Sequence, residues 1–190
     1  MQARFLGRPV SPEIVEAVEQ GWLRRGGHAL DAGCGEGVVA HWLVQQGFTA
    51  LGLDIAPSAV DRARALHSES EALRFDVADL RKERPEGPAF DVVIDRGCLH
   101  QMRDHDLPAY AANLCALCAP DARMLIFHRA YRRGVAHGDP KERRRVVGRV
   151  ERAYDGTFRI VRAEDTYTDP RFGADPETRM SGIVLWLERI

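Results

Sequence analysis

The reading of this chain turns on Ala29-Leu30-Asp31-Ala32-Gly33-Cys34-Gly35-Glu36-Gly37. A short apolar run ends in an acid, three alternating glycines follow, and Val38 to Val44 reads as a helix start. That pattern is a strand, a tight turn and a helix N-terminus. The glycines let the backbone bend and let a ligand approach with no Cβ in the way, and the helix end offers N–H groups without intrahelical partners. Nucleotide ligands commonly sit on such turns. A dinucleotide turn of the form Gly-x-Gly-x-x-Gly requires a glycine where this chain has Val38. A pyrophosphate also prefers N–H donors without a facing carboxylate. Asp31 at the mouth of the turn suits a ligand with positive charge at that end, such as the amino group of a methionyl moiety.

Three further segments repeat the theme. Ala50-Leu51-Gly52-Leu53-Asp54, Leu73-Arg74-Phe75-Asp76-Val77-Ala78-Asp79 and Phe90-Asp91-Val92-Val93-Ile94-Asp95 each end a strand-like run in an acid. Helical segments over 36–46 and 57–66 separate the first three strands, and a charged, proline-bearing crossover over 81–89 precedes the fourth. Strand–helix alternation predicts an α/β fold, a parallel sheet with helices on both faces. Right-handed crossovers set the carboxyl ends of the strands along one edge, where ligands bind at the switch point of strand order. Asp31, Asp54, Asp76 and Asp95 are all expected on that edge.

Asp-x-Gly-x-Gly-x-Gly after a first strand, followed by these strand-end acids, resembles the class I S-adenosylmethionine-dependent methyltransferases. The resemblance is close over about residues 28–130 and looser beyond. It implies a three-layer Rossmann-like fold, with a mostly parallel seven-stranded sheet and an antiparallel last strand. It also implies S-adenosylmethionine as cofactor, held by Asp31, Gly33, Gly35, Asp54, Ile55, Asp76, Val77 and Asp95. Asp54 would accept from both ribose hydroxyls and Ile55 would lie against the adenine. Asp76 would accept from the adenine amino group, while the Val77 N–H meets a ring nitrogen. Asp79, which ends the same run, is weighed alongside Asp76 for cofactor contact. Each acid has a plainer reading as a turn residue after a strand.

Composition bounds the function. The chain has 190 residues, of which 45% are hydrophobic and 29% charged, with a net charge of −1. That size suits one domain over 1–190, with 1–27 as an N-terminal helical cap. The charge balance argues against a nucleic-acid binder, and the absence of an apolar run of about 18 residues argues against a membrane span. A cytoplasmic location is the default expectation. Cys115 and Cys118 lie inside an apolar helical pattern and are read as core, so no metal site is expected.

The remaining elements follow in order. Ser11-Pro12-Glu13 opens a helix carrying Ile14, Val15, Val18 and Trp22, ended by Gly26-Gly27. A helix runs from Asp104 or Asp106 to about Cys118, and strand five covers Arg123 to Phe127. A helix from Asp139-Pro140 to about Tyr154, then strands at 158–163 and 183–188, complete the chain. Segments 130–138 and 165–181 follow strand ends and are candidate covers for a substrate.

Asp95-Arg96-Gly97 resembles the thiopurine S-methyltransferase branch, where the motif's arginine lies near the substrate. Carried over, Arg96 would orient an anionic or electron-rich acceptor; the alternative is an ion pair with Asp95 or Asp91. His100 and His128 are the candidate bases. Arginines in 129–133 and 143–145 form a possible basic rim. The expected activity is methyl transfer to a small-molecule acceptor, with sulfur preferred over oxygen or nitrogen. The alternatives are a cofactor-binding module without transfer and a nicotinamide oxidoreductase, the latter disfavoured by Val38.

Overall fold

The computed structural model describes residues 10–129, 137–167 and 181–190. In chain order the elements are α1 (Pro12–Glu19), β1 (His28–Ala32), α2 (Val38–Gln45), β2 (Thr49–Asp54), α3 (Pro57–Leu66), β3 (Leu73–Val77) and β4 (Phe90–Arg96). There follow a 3₁₀ turn (Leu99–Gln101), α4 (Leu107–Ala116), β5 (Cys118–Arg129), α5 (Pro140–Ala153), β6 (Phe158–Tyr167) and β7 (Ser181–Arg189). Among the described residues, seven strands form one sheet in the order β3-β2-β1-β4-β5-β7-β6. β1 to β5 run parallel, and β7 lies antiparallel between β5 and β6. The strand order reverses between β1 and β4.

Both sheet faces are covered, as near-continuous apolar strands require. On one face α1, α2 and α3 bury Ile14, Val18, Leu43 and Val60 against Phe75, Phe127 and Trp186. On the other, α4 and α5 bury Tyr110, Leu114, Val146, Val150 and Tyr154 against Val93, Met124 and Leu185. Cys115 and Cys118 are free and buried in this second core. Cys118 donates to the Leu114 carbonyl at 3.2 Å.

Two sequence expectations shift. The first helix ends at Glu19, not at Gly26. Gly21, at φ +70°, takes the left-handed position that closes a helix. Its N–H reaches the Val18 carbonyl at 3.1 Å, and the Leu23 N–H reaches Ala17 at 2.8 Å. Trp22 therefore lies past the helix. It meets Trp186 edge-on at 4.7 Å, with Arg123 over its own ring and Arg162 over Trp186. Secondly, β5 begins at Cys118, and Pro120-Asp121 forms an irregularity within it. The register with β4 jumps from Phe90↔Cys118 to Val92↔Arg123. A proline cannot donate to the ladder, so it sits where the ladder is interrupted. Of the candidate covers over 130–138 and 165–181, residues 130–136 and 168–180 lie outside the described residues.

Glycine is required where the sheet meets the turn. A Cβ on Gly37 would stand 2.5 Å from the Phe75 ring, and one on Gly52 would stand 2.6 Å from the same ring. Phe75 thus fills the space that two glycines leave, which fixes the phase of β3. Gly35 has the same left-handed backbone as Gly37, at φ +56° against +76°, but a Cβ there would meet nothing within 4 Å. Backbone strain should be common to both substitutions, about 1–2 kcal/mol. Overpacking should add about 1–3 kcal/mol at Gly37 alone. Chemical denaturation should therefore find Gly37→Ala clearly less stable than Gly35→Ala, and equal losses would refute the packing role assigned to Phe75.

Candidate functional site

Beyond the carboxyl ends of β1, β2, β3 and β4 opens a cavity of about 360 Å³. Its walls include Gly33 after β1, Asp54 and Ile55 at β2, Ala78 to Arg81 after β3, and Arg96 to Cys98 at β4. Gln101, Met102 and Tyr110 close the far side. This is the switch-point position expected for an open α/β sheet.

The glycine turn is tied to β2. The Gly33 and Cys34 N–H groups both donate to the Leu53 carbonyl, at 2.8 and 2.9 Å. The Gly35 N–H donates to Asp54 Oδ2 at 2.9 Å, and the Ala56 N–H donates to Asp54 Oδ1 at 2.9 Å. Three successive donors of the turn are therefore spent inside the protein. The arrangement leaves Asp54 one used site on each oxygen, and a carboxylate offers about four in all. Its remaining capacity matches a pair of vicinal hydroxyls. Beside it, Ile55 is 55% exposed, an apolar surface suited to a flat ring.

Of the four strand-end acids expected along this edge, Asp54 is the one that stands in the cavity wall. Asp31 is 2% exposed and lies beneath the turn, outside the cavity wall. Its Oδ2 accepts from the Ala40 N–H at 3.1 Å. Ala40 is in the first turn of α2, whose own N-cap is the side-chain-less Gly37. Asp31 thus caps that helix from a neighbouring strand, a bond that no local motif announces. Burial raises its carboxyl to about 7, against the lowering effect of that bond and of Arg96.

Asp95 is fully buried and is likewise absent from the cavity wall. It accepts from the Cys98 N–H at 2.8 Å, from the Leu99 N–H at 3.0 Å and from the Tyr110 hydroxyl at 2.7 Å. Burial raises it to about 6 even so. Its work is to hold the loop that carries Arg96 and Cys98. Asp76 follows Phe75 along β3 and is turned away, where it pairs with Arg64 at 3.2 Å. It borders a separate surface cleft of about 300 Å³ near the amino ends of β1 and β2. Val77 is half exposed and outside the cavity wall. The acid in that wall is Asp79, three residues on.

The acceptor-side candidates also separate. Arg96 lines the cavity. His128 is buried at the end of β5, and both ring nitrogens are engaged. Its Nδ1 donates to the Arg129 carbonyl at 2.7 Å, and Arg149 donates to its Nε2 at 3.1 Å. Burial and the Arg149 charge lower it to about 4. It is a neutral, committed imidazole rather than a base. His100 lies against it with ring centroids 6.0 Å apart and touches the position a Gly97 side chain would take. Burial, with Arg129 and Arg149 nearby, lowers it to about 4, and its buried Nδ1 has no partner. In the expected rim, Arg143 pairs with Asp165 at 3.0 Å and Arg145 with Glu142 at 2.6 Å. Arg132 and Arg133 lie outside the described residues.

Sequence reasoning missed Arg81, Gln101, Met102 and Tyr110 in the cavity wall, and Arg149 behind it. Arg149 reaches from α5 to the Leu99 and Met102 carbonyls, at 3.4 and 2.5 Å. None of these residues stands in a motif; only the apolar periodicity of α4 hinted at Tyr110, as core.

Comparison with known proteins follows this geometry. Residues 29–121 match the family described as Methyltransferase domain. The chain is 36% identical over 129 residues to a 2-heptyl-1-hydroxyquinolin-4(1H)-one methyltransferase of Mycobacteroides abscessus, covering 66% of this chain and 56% of that relative. It therefore spans little more than half of that protein's length. It is 32% identical over 105 residues to an uncharacterized methyltransferase of Schizosaccharomyces pombe, covering 55% of this chain and 71% of the relative. A TehB-like SAM-dependent methyltransferase of Corynebacterium glutamicum superposes with a TM-score of 0.66 at 22% identity, covering 96% of this chain and 89% of that one. That last likeness is one of fold.

Asp31 supplies a test through pH. Unfolded, its carboxyl titrates near 3.8; folded, near 7. The native state thus keeps a proton that the unfolded chain has lost, so the associated stability is full below about 3.8 and is lost as pH rises through about 7. His100 and His128 act oppositely, because their folded values lie below 6.5. Comparing the wild type with Asp31→Asn isolates the acid. The variant's advantage in melting temperature at about pH 8 should shrink toward about pH 5, and a pH-independent difference would refute a buried, proton-holding Asp31.

Proposed function

This chain belongs to the methyltransferase-domain family, and from that premise we propose that it transfers the methyl group of S-adenosylmethionine to a small-molecule acceptor. The observation that carries the proposal is the position of Asp54. It stands in the cavity wall with capacity to spare, beside an exposed Ile55, under a turn whose first three donors are already used. A pyrophosphate needs those N–H groups free. A neutral ribose with two hydroxyls needs the carboxylate instead. The fit favours an adenosine with a short amino-acid tail over a dinucleotide. Asp79, rather than Asp76, takes the adenine amino group in this reading. Gly33 lets the turn close against the β4 loop, since a Cβ there would stand 2.9 Å from Cys98 Cβ.

When bound, the cofactor supplies a methyl group on a positively charged sulfur and leaves as a neutral thioether. The chain's own task is mainly alignment and exclusion of water. Arg96, Gln101 and Met102 border the space beyond Gly33 and orient the acceptor. Cys98 borders it too, but burial and the nearby Asp95 push its thiol upward. It stays protonated and does not compete for the methyl group. His128 is committed, and His100, held neutral, accepts a hydrogen bond but draws a proton weakly.

An acceptor that sheds its own proton near neutral pH suits such a site. A thiol beside Arg96 is the first choice, as Asp95-Arg96-Gly97 implies. An N-hydroxyl of the kind named for the Mycobacteroides relative meets the same requirement. Calorimetry with S-adenosylhomocysteine should give saturable binding, weakened about tenfold or more in Asp54→Ala. Incubation with labelled S-adenosylmethionine and a panel of thiols, N-hydroxy heteroaromatics, phenols and amines should give turnover of the acidic classes. No binding at high micromolar concentration would end the proposal. Binding without turnover of any acceptor would assign the chain to a module that holds the cofactor.

A further inference from the structure

Opposite Asp54, the cavity wall carries an ion pair that no strand-end pattern announces. Asp79 and Arg81 both line the cavity, with side chains 14% and 33% exposed. Asp79 Oδ1 accepts from the Arg81 backbone N–H at 3.1 Å and from Arg81 Nε at 2.8 Å. Its Oδ2 accepts from Arg81 Nη2 at 2.8 Å. One residue thus fills three of about four acceptor sites on this carboxylate. The fourth, on Oδ2, takes a longer contact from the Lys82 ammonium at 3.4 Å, on a side chain 77% exposed that an incoming amino group would displace. The remaining guanidinium nitrogen, Nη1, faces Asp106 at the start of α4, 3.9 Å away. Asn113 of α4 donates to the Leu80 carbonyl at 2.9 Å, so the turn bearing the pair is fixed from the same helix.

We propose that Arg81 is a positioning residue for purine recognition: by closing three sites on Asp79 it leaves a single directed acceptor for the exocyclic amino group of adenine. This rests on the methyltransferase reading above. A bidentate arginine–carboxylate pair is planar and holds its geometry better than a lone side chain. The bond also keeps Asp79 ionised, since hydrogen bonding from Arg81 holds the carboxyl well below its usual range. An anionic acceptor of fixed direction welcomes an amino group and repels a carbonyl. Arg81 therefore sets a preference for adenine over hypoxanthine without itself touching the base.

The test compares S-adenosylhomocysteine with S-inosylhomocysteine, which carries a carbonyl in place of the amino group. Wild-type protein should bind the first at least about tenfold more tightly in calorimetry. Arg81→Gln and Arg81→Lys should lose most of that ratio, through weaker binding of the adenine ligand. In Arg81→Gln, adenine binding should also become acid-sensitive as the Asp79 carboxyl returns toward its usual range. Asp79→Asn, which can donate as well as accept, should abolish the preference independently. If the wild type binds neither ligand, the methyltransferase reading fails. If it binds both equally, or if the Arg81 variants weaken both by the same factor at unchanged melting temperature, the inference fails and that reading stands. If the Arg81 variants unfold, an unchanged preference in Asp79→Asn overturns the inference.

Discussion

The end of β2 holds the site together. The Leu53 carbonyl takes two N–H groups of the glycine turn, and the Asp54 carboxylate takes a third. A turn of positive-φ glycines has many conformations open to it, and this bond set selects one. The same bonds decide what the turn can bind. An anion seeking N–H donors finds the first three of the turn occupied, while a hydroxyl seeking an acceptor finds the outer capacity of Asp54. In the proposed reading, recognition and architecture fall to one side chain, Asp54.

The other strand-end acids show how position along an edge differs from direction into a cavity. Asp31 and Asp95 sit on the expected edge and face inward, to backbone N–H groups that would otherwise be buried without partners. Such bonds recover part of the desolvation that burying a carboxyl entails. Protonation recovers more, which is why both carboxyls are raised. Tyr110 completes the arrangement at Asp95 and also forms part of the cavity wall. The acids thus make the loops rigid enough for Asp54 and Arg96 to hold fixed directions.

On the acceptor side, a buried arginine plays the equivalent part. Arg149 binds the carbonyls of the 99–102 turn, the Asp104 carboxylate and His128. It fixes the His128 tautomer and, with Arg129, surrounds His100 with positive charge. Burial first, and this positive charge second, lower both imidazoles toward the neutral form.

The sequence by itself determined the layered α/β fold, the order of strands and helices through β5, the glycine turn, and Asp54 beside it. These are legible because they depend on local rules: apolar period, turn residues and the chemistry of a strand end. It also pointed to Arg96, which lines the cavity, and read Cys115 and Cys118 as core. Only the tertiary structure decided which acids face the cavity. The phase of β3 turns Asp76 from the cavity, and Phe75 sets that phase by filling the space beside Gly37 and Gly52, residues distant in sequence; Asp79 lies past the strand's end. Only it revealed Asp31 as the cap of α2, Arg149 as the anchor of the 99–102 turn, and Arg81 as the partner of Asp79. Direction is a property of packing. A sequence states which groups are present at an edge, and the surrounding side chains determine which way each one points.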